Sequence, residues 1–340
     1  MFAPIETERL VIRAPVASDV DALVRRRSDP EVARFQSWDM PFGREAASGT
    51  IRSAMEMGGP ISGEWWMATV CTAAGTVVGD LAVHPTWEGR TVEIGYTLDP
   101  AHWGKGFAVE AVEALVARLF ADANVTRITG MLHPDNVASA QVLERTGFLF
   151  EGHTRSSYWV RDEVSDDWIY GMTRPDWEAW RDRPRHRPDA VSLVTVDSSN
   201  EREVYRLRTH KTQEAFVATM AWSFADALFP EEVDGAPVVP RMWAIEGDGA
   251  KTGFVMIAAV TEHHPEPYLW RLLIDRLHQR RGIGRMALDR LCDVLRSEGA
   301  TSLMTSWTEG RGSPRPFYEA YGFEPTGRIV DDETEARLAL

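Results

Sequence analysis

The feature that most constrains this chain is an arrangement of strand, glycine turn and helix that occurs twice. In the second half, an apolar run at 268–274 leads to a glycine turn at 279–284 and then to an amphipathic helical pattern. In the first half, an apolar run at 91–98 leads to a similar turn at 103–108. Glycines a residue apart let consecutive backbone N–H groups surround one centre, and the following helix adds unpaired N–H groups and a favourable dipole. Such a turn is typical of phosphate binding.

The positions of the two turns indicate an internal duplication. Their first glycines, Gly104 and Gly282, are 178 positions apart. Further downstream, each half has a glycine followed by a phenylalanine, and these glycines, Gly147 and Gly322, are 175 positions apart. A near-constant offset at two landmarks is expected when one domain has been duplicated.

The length and composition are those of a two-domain protein. A chain of 340 residues exceeds the usual size of one domain, and its 44% hydrophobic residues suffice for two cores. In each half the pattern predicts strand, helices, three-strand meander, glycine loop, helix, strand, helix and strand. We therefore predict domains at 1–180 and 190–340, each an α/β fold with a mixed sheet. Residues 181–189 are charged, contain two prolines and lack an apolar anchor, which predicts a solvated linker.

Charge and composition narrow the partners. The formal net charge of −14 argues against a nucleic-acid partner, because duplex binding needs a basic face. It favours cationic small molecules or basic peptides, although acidity equally serves solubility. There is neither a stretch as long as a membrane span nor a signal peptide, so we expect a soluble cytoplasmic monomer or homodimer that binds no membrane. His263 and His264 lack companion ligands, so no metal site is expected.

The loops and their flanking elements resemble the GCN5-related N-acetyltransferases (GNAT), whose acyl-CoA loop has the pattern Gln/Arg-x-x-Gly-x-Gly/Ala. Residues 279–284 match it at every specified position. The first half departs at Ala101 but is similar to RimJ/RimL-type acetyltransferases, and the second half is similar to diamine and spermidine N-acetyltransferases, departing at Arg311. The resemblance implies two tandem GNAT domains that transfer an acetyl or other short acyl group from acetyl-CoA to a small-molecule amine or a peptide N-terminus.

The resemblance also implies which residues contact acyl-CoA. In the first half they are Trp103, Gly104, Lys105, Gly106, Phe107, Ala108 and Asn136, although Asn136 is equally suited to capping a helix. In the second half they are Leu273, Ile274, Gln279, Arg280, Arg281, Gly282, Ile283, Gly284 and Arg285. Three arginines in one loop of an acidic chain indicate a ligand with several negative charges.

The reaction requires a base, because a primary amine with a pKa near 10 is mostly protonated at neutral pH. Glu93 on the first loop strand is the candidate, unless it faces solvent or binds the cation of the substrate. Counting back eleven positions from each first glycine places Arg271 at its counterpart. Either Glu262, Glu266 or Asp275 substitutes in the second half, or that half has lost activity.

The departing thiolate requires a proton, and the resemblance implies Tyr318 as its donor in the second half. Core packing is the alternative role of Tyr318. Leu143 holds the matching place in the first half and cannot donate a proton, so the resemblance there indicates Ser139.

Two rival interpretations exist. Residues 282–287 also fit a dinucleotide-binding pattern, but the next predicted strand does not end in the acidic residue that would bind a ribose. The second rival is a non-catalytic module that binds or senses acyl-CoA. A role in antibiotic resistance or tailoring is an analogy only.

Overall fold

The computed structural model describes residues 1–233 and 235–340. The chain divides into two compact units, Met1–Asp182 and Arg183–Leu340, which we call unit 1 and unit 2. None of the described helices has both the length and the apolar character needed to cross a bilayer.

Unit 1 is built on one mixed sheet. Its strands are β1 (Ile5–Glu6), β2 (Leu10–Arg13), β3 (Trp66–Thr72), β4 (Val77–Thr86), β5 (Thr91–Leu98), β6 (Arg127–Leu132), β7 (Leu149–Val160) and β8 (Glu163–Thr173). They lie in the order β1-β2-β3-β4-β5-β6-β8-β7, and within the described residues β5 and β6 form the one parallel pair. That pairing runs only from Thr91 to Glu93, so the two strands separate beyond Glu93 and leave space between them.

The helices of unit 1 cover this sheet. They are α1 (Val20–Arg27), α2 (Pro30–Ala33), α3 (Arg44–Met57), α4 (Phe107–Phe120), α5 (Val137–Arg145) and α6 (Arg174–Asp182). Helix α4 buries Ala111, Leu115 and Phe120 among other residues, the spacing of one helical face. It starts directly after the glycine turn, so its N-terminus is held beside the end of β5.

Unit 2 repeats the plan. Its strands are β9 (Val191–Thr195), β10 (Glu232–Val233), β11 (Ala236–Pro237), β12 (Pro240–Gly247), β13 (Ala250–Ala258), β14 (Tyr268–Ile274), β15 (Ser302–Trp307), β16 (Glu324–Val330) and β17 (Glu333–Ala339). Its helices are α7 (Glu201–Tyr205), α8 (Met220–Leu228), α9 (Ile283–Ser297) and α10 (Arg315–Tyr321). The main sheet has the order β16-β17-β15-β14-β13-β12-β9. Its parallel strands β14 and β15 pair at one position in the described residues, Tyr268 with Met304.

The predicted fold class, α/β with mixed sheets, is confirmed. One element differs, because a hairpin forms one edge of each main sheet, β7–β8 or β16–β17, where a single strand was predicted. All residues of β16 are exposed, so no hydrophobic alternation marks this strand in the sequence.

The segment predicted as a solvated linker is partly docked on unit 2. The carbonyl oxygen of His186 accepts a hydrogen bond from Arg281 Nε at 2.7 Å, and Pro188 is buried. The prediction of a free tether is therefore wrong for 186–188. The sequence concealed this contact because a backbone carbonyl and a proline ring make it, not an apolar side chain.

Candidate functional site

The two glycine turns have the same backbone conformation. Gly106 is the N-cap of α4 with a φ of 80°, and Gly282 is the N-cap of α9 with a φ of 77°. Two residues earlier, Gly104 and Arg280 both have positive φ, at 73° and 62°. Glycine adopts this conformation without the steric cost that the Cβ atom of Arg280 incurs.

This geometry corrects the predicted alignment of the halves. Gly282 corresponds to Gly106 and not to Gly104, so the offset at the loop is 176 positions. The preceding strands agree with this offset. Leu98 pairs with Gly79 and Ile274 pairs with Gly253, and Leu98 and Ile274 are again 176 positions apart. The alignment by glycine spacing failed because an arginine occupies the left-handed position in unit 2.

Both turns present a row of free backbone donors. Within the described residues, no backbone N–H of 104–109 or of 280–285 donates to a protein acceptor. In each unit these six consecutive N–H groups lie in the turn and the first helical residues behind it. Such a row, at the positive end of a helix dipole, suits the oxygens of a phosphate group.

The cationic side chains of the unit 2 loop are not equivalent. Arg281 is only 3% exposed, and it pairs with Asp248 and donates to His278 Nδ1 at 2.9 Å. Its guanidinium is therefore neutralised inside the protein and does not line the cleft. Arg280 and Arg285 are exposed, and neither forms an ion pair within the described part of the chain.

Four other residues of unit 2 that were predicted to contact acyl-CoA are held in place by contacts within the unit. Gln279 Nε2 donates to Gln213 Oε1 at 2.8 Å and to the carbonyl oxygen of Ile274 at 3.1 Å, which ties the turn to the end of β14. Leu273 and Ile283 are buried in the interior of unit 2. Gly284 follows on the first turn of α9, facing the ring of Phe317.

The unit 1 loop carries less free charge. Lys105 Nζ donates to the carbonyl oxygen of Ala101 at 2.8 Å, and Trp103 Nε1 donates to that of Leu98 at 2.9 Å. Arg9 approaches this loop from the start of the chain, pairs with Glu110 at 2.6 Å and lies over the ring of Phe107. Ala108, half-buried on the first turn of α4, corresponds to Gly284.

The strand register changes the counterpart of Glu93. Glu93 lies opposite His84 and pairs with Thr129 on the parallel strand. In unit 2, a bulge between Arg271 and Leu269 gives β14 one extra residue, and Tyr268 is the residue that pairs across the parallel strands. Tyr268 therefore occupies the place of Glu93, and the predicted equivalence with Arg271 is wrong. A sequence count contains no information about a bulge.

Glu93 lies in a setting that suits a base. It is partly buried, and burial raises the pKa of its carboxyl group above the ordinary value. His84 opposes this shift, and Asp167 adds to it. A carboxylate with a raised pKa accepts a proton more readily than an ordinary one.

Ser139 is hydrogen-bonded to a residue that sequence analysis gave no role. Ser139 Oγ donates to Tyr96 Oη at 2.9 Å, and Tyr96 Oη donates to the carbonyl oxygen of Ser139 at 2.9 Å. Burial raises the pKa of Tyr96 well above its usual range, so this hydroxyl stays protonated at neutral pH. Asn136 caps α5, because its side chain accepts from the N–H of Ser139 at 3.2 Å.

Tyr318 lies at the border between core and cleft. It is 7% exposed, stacks on Trp307 and also lines the unit 2 cleft. Burial raises the pKa of its hydroxyl far above the ordinary value. The predicted match with Leu143 is confirmed, because the carbonyl oxygens of both accept the N–H of the phenylalanine five residues later, each at 3.0 Å.

The acids suggested as substitute bases in unit 2 have other partners or positions. Glu266 accepts from Ser302 Oγ and pairs with Arg337. Asp275 accepts from the N–H of Arg208 at 2.9 Å, and Glu262 is exposed on a loop. Glu266 lines the cleft, whereas the other two do not.

A cleft of about 1520 Å³ connects these elements in unit 2. Its lining includes the loop residues Gln279, Arg280, Gly282, Ile283, Gly284 and Arg285, the whole of β14, and Tyr318. A ligand with phosphates on the turn therefore has space to extend along β14 to Tyr318. The shape and the donors fit an acyl-CoA, with phosphate at one end and an apolar arm along the strand.

Sequence analysis missed three residues near these turns. Tyr96 is found only through its contact with Ser139, although it stands on the loop strand. Arg9 and Arg187 each lie beside the N-cap glycine of their own unit. Both precede the first long strand of their unit, far from the turn in sequence, so no local pattern marked them.

The chain matches two family models. A model described as "Acetyltransferase (GNAT) domain" covers residues 9–149, and one described as "Acetyltransferase (GNAT) family" covers residues 202–323. Together they span most of the chain and include both glycine turns.

Individual relatives match about half of the chain or less. The uncharacterized N-acetyltransferase YoaA of Bacillus subtilis is 28% identical over 177 residues, which is 52% of this chain and 99% of that protein. The ribosomal-protein-serine acetyltransferase of Escherichia coli is 33% identical over 81 residues, 24% of this chain and 45% of that protein. A solved GNAT-family acetyltransferase from Bacillus anthracis has a TM-score of 0.46 and 25% identity, covering 50% of this chain and 98% of its own.

Two turns with matching backbones and two matching family models lead to one conclusion. This chain belongs to the GNAT acetyltransferases and is an acetyl-CoA-dependent N-acetyltransferase with two such domains in tandem.

Proposed function

We propose that this protein transfers an acetyl or other short acyl group from acyl-CoA to the primary amine of a small cationic molecule or a peptide N-terminus. The observation that carries the proposal is the row of six backbone N–H groups without a protein acceptor in each turn. Each row follows a strand that pairs with its parallel neighbour only over its first residues. The two compact units support two domains close to the predicted 1–180 and 190–340, with residues 183–189 of the predicted linker grouped with unit 2.

The donor is held by backbone and strand. Its pyrophosphate lies against the N–H groups of 104–109 or 280–285, and its pantetheine arm runs along β5 or β14. The thioester then lies near the middle of that strand, where a backbone N–H stabilises the oxyanion that forms on its carbonyl.

In unit 1, Glu93 takes a proton from the ammonium group of the acceptor. The neutral nitrogen attacks the thioester carbon, a C–N bond forms, and the C–S bond breaks with its electron pair leaving on sulfur. The thiolate receives a proton from the Ser139–Tyr96 hydroxyl pair, whose Oγ and Oη atoms are 2.9 Å apart. The nitrogen is positively charged once the C–N bond has formed, and it releases its extra proton, which restores the hydroxyl pair and leaves a neutral amide. Glu93 lies on the same strand as Tyr96, three residues before it.

Unit 2 has a candidate proton donor for the thiolate but no carboxylate at the place of Glu93. Tyr318 is protonated at neutral pH and lines the cleft beside β14. Tyr268, at the place of Glu93, has a pKa that burial raises further, so it does not act as a base near neutrality. We therefore assign turnover mainly to unit 1 and strong acyl-CoA binding mainly to unit 2.

The acceptor carries positive charge. The net charge of −14 attracts cations, and Glu93 and Asp167 place two carboxylates near the proposed reaction centre. The name of the Escherichia coli relative, a ribosomal-protein-serine acetyltransferase, supports including proteins and peptides among the candidate acceptors.

The test is thiol release from acetyl-CoA with a panel of polyamines, aminoglycosides and peptides. Ala108→Glu and Gly284→Glu are matched variants, because each places a carboxylate at the same position of one loop. An acidic residue in the first helical turn favours the helix but repels a phosphate. Turnover lost in Ala108→Glu and retained in Gly284→Glu would support catalysis by unit 1. Coenzyme A binding without turnover of any amine would instead favour the non-catalytic alternative.

A further inference from the structure

The docked part of the linker places Arg187 beside the unit 2 glycine turn. A Cβ atom built on Gly282 would lie 3.8 Å from Arg187 Cδ, and Arg187 Nε is 3.3 Å from Met286 Sδ. The residues on either side fix this position, since His186 accepts from Arg281 and Pro188 is buried. Arg187 lies outside the region that the second family model matches.

The charge of Arg187 is not neutralised within the described residues. Its side chain is exposed, and it forms no ion pair there. The residue beneath it, Met286, is uncharged and stands on the first turn of α9. A guanidinium without an ion pair is therefore held with its Nε 3.9 Å from a Cβ atom built on Gly282, within the row of backbone donors at 280–285.

Unit 1 has the same arrangement with the opposite electrostatic outcome. Arg9 lies over its N-cap glycine, with Nη2 3.4 Å from a Cβ atom built on Gly106. It is paired with Glu110, the counterpart of Met286 at the offset of 176 positions. The arginine in unit 1 is therefore already occupied, and a carboxylate stands on the first turn of its phosphate-facing helix.

We propose that Arg187 is a further phosphate-binding residue for acyl-CoA held in unit 2, and that the interdomain linker thereby forms part of that site. This inference rests on the proposed function, because it needs the phosphates to lie on the turn at 280–285. Arginine suits this role because its planar guanidinium donates two hydrogen bonds to phosphate oxygens at once.

The experiment measures coenzyme A binding by calorimetry in the full chain carrying Ala108→Glu, so that only the unit 2 loop binds. Arg187→Gln is expected to raise the Kd by about tenfold, the usual loss for one charge-assisted contact. The affinity of this variant should also fall less steeply with salt, because one cation fewer faces the ligand. Arg185→Gln, an exposed linker arginine, is the matched control and should leave the Kd unchanged.

Two further variants separate the possible failures. Met286→Glu copies the carboxylate of unit 1 and should raise the Kd by neutralising Arg187. Gly284→Glu tests the loop itself. If Gly284→Glu abolishes binding and Arg187→Gln leaves the Kd within about twofold of the parent, the role of Arg187 is wrong and the proposed function stands. If Gly284→Glu binds normally, the part of the proposed function that places acyl-CoA on the unit 2 turn fails, and the role of Arg187 fails with it.

Discussion

The glycine turns of the two units have one backbone and two electrostatic characters. In unit 1, Glu110 neutralises the arginine over the turn, and in unit 2 the equivalent helix position is Met286. Arg280 and Arg285 give the unit 2 turn two cations without an ion pair in the described residues, whereas the unit 1 turn has one, Lys105. Backbone N–H groups can thus define a phosphate site in both units while side chains set how strongly each attracts its ligand.

The strands beside the turns differ in the opposite direction. Unit 1 has Glu93 at the parallel pairing, whereas unit 2 has Tyr268 there. Unit 2 has Tyr318 on α10, whereas unit 1 has Leu143 at the matching place on α5. The comparison teaches that a duplicated fold can divide binding and proton transfer between its copies.

The largest expected effect is the fall in turnover when the proposed base, Glu93, is replaced. Glu93→Gln should lower the turnover number by about a hundred- to a thousandfold, because general-base catalysis contributes on this scale. Tyr268→Phe is the matched change in unit 2 and should alter the rate by less than about threefold. Both rates are measured by thiol release at saturating acetyl-CoA. Equal losses in the two variants would contradict the assignment of turnover to unit 1.

The next effect is on stability, through buried ion pairs. The side chains of Arg26 and Asp80 in unit 1 are 2% and 4% exposed. Burial alone would raise the pKa of Asp80, but Arg26 and Arg27 hold it below its ordinary value. Asp80→Asn should therefore lower the free energy of unfolding by about 3 kcal/mol, since it leaves buried guanidinium groups unpaired.

The matched change in unit 2 is Asp248→Asn, which removes the partner of Arg281. Asp248 is more accessible to water than Asp80, so the loss should be smaller, about 1 kcal/mol. Urea unfolding of both variants measures the difference. A larger loss for Asp248→Asn would reverse this comparison of the units.

A smaller effect on turnover is expected when Tyr318, the proposed proton donor of unit 2, is replaced. Tyr318→Phe, in a chain carrying Ala108→Glu, should lower any turnover by unit 2 by about tenfold, because a thiolate then leaves without a positioned proton donor. Phenylalanine keeps the stacking on Trp307, so the melting temperature should hardly change. A loss of stability without a loss of rate would identify Tyr318 as a packing residue only.

The smallest effect is on the pH dependence of unit 2. Burial lowers the pKa of His278 below 6.5, a shift that Asp275 opposes and Arg281 increases. The unfolded chain therefore takes up this proton first as the pH falls. Stability from this group is complete above pH 6.5 and is lost as the pH drops through the lowered pKa.

Thermal melting between pH 7.5 and pH 5.5 tests this assignment, with both limits chosen about one unit on either side of an ordinary histidine pKa. The wild type should lose a few degrees more than His278→Asn over that range. Parallel profiles would show that His278 does not contribute.

Much of each fold could be predicted from the sequence, because strand, turn and helix follow from short-range patterns. The strand at 91–98 and the helix after the turn at 103–108 were expected close to their observed bounds. The match of Leu143 with Tyr318 was also predicted, since both precede a Gly-Phe pair by the same number of residues. The predicted roles of Glu93, Ser139 and Tyr318 stay predictions that the variants above test.

Other features depended on contacts between residues far apart in the chain. The sequence by itself determined the duplication, the fold class and the position of both turns, because periodicity and glycine spacing encode local backbone geometry. Only the tertiary structure decided that Tyr268 replaces Glu93, that Arg281 is neutralised by Asp248, and that Arg187 lies beside the turn. Register, charge pairing and linker docking arise when distant residues meet, and no local pattern records such meetings.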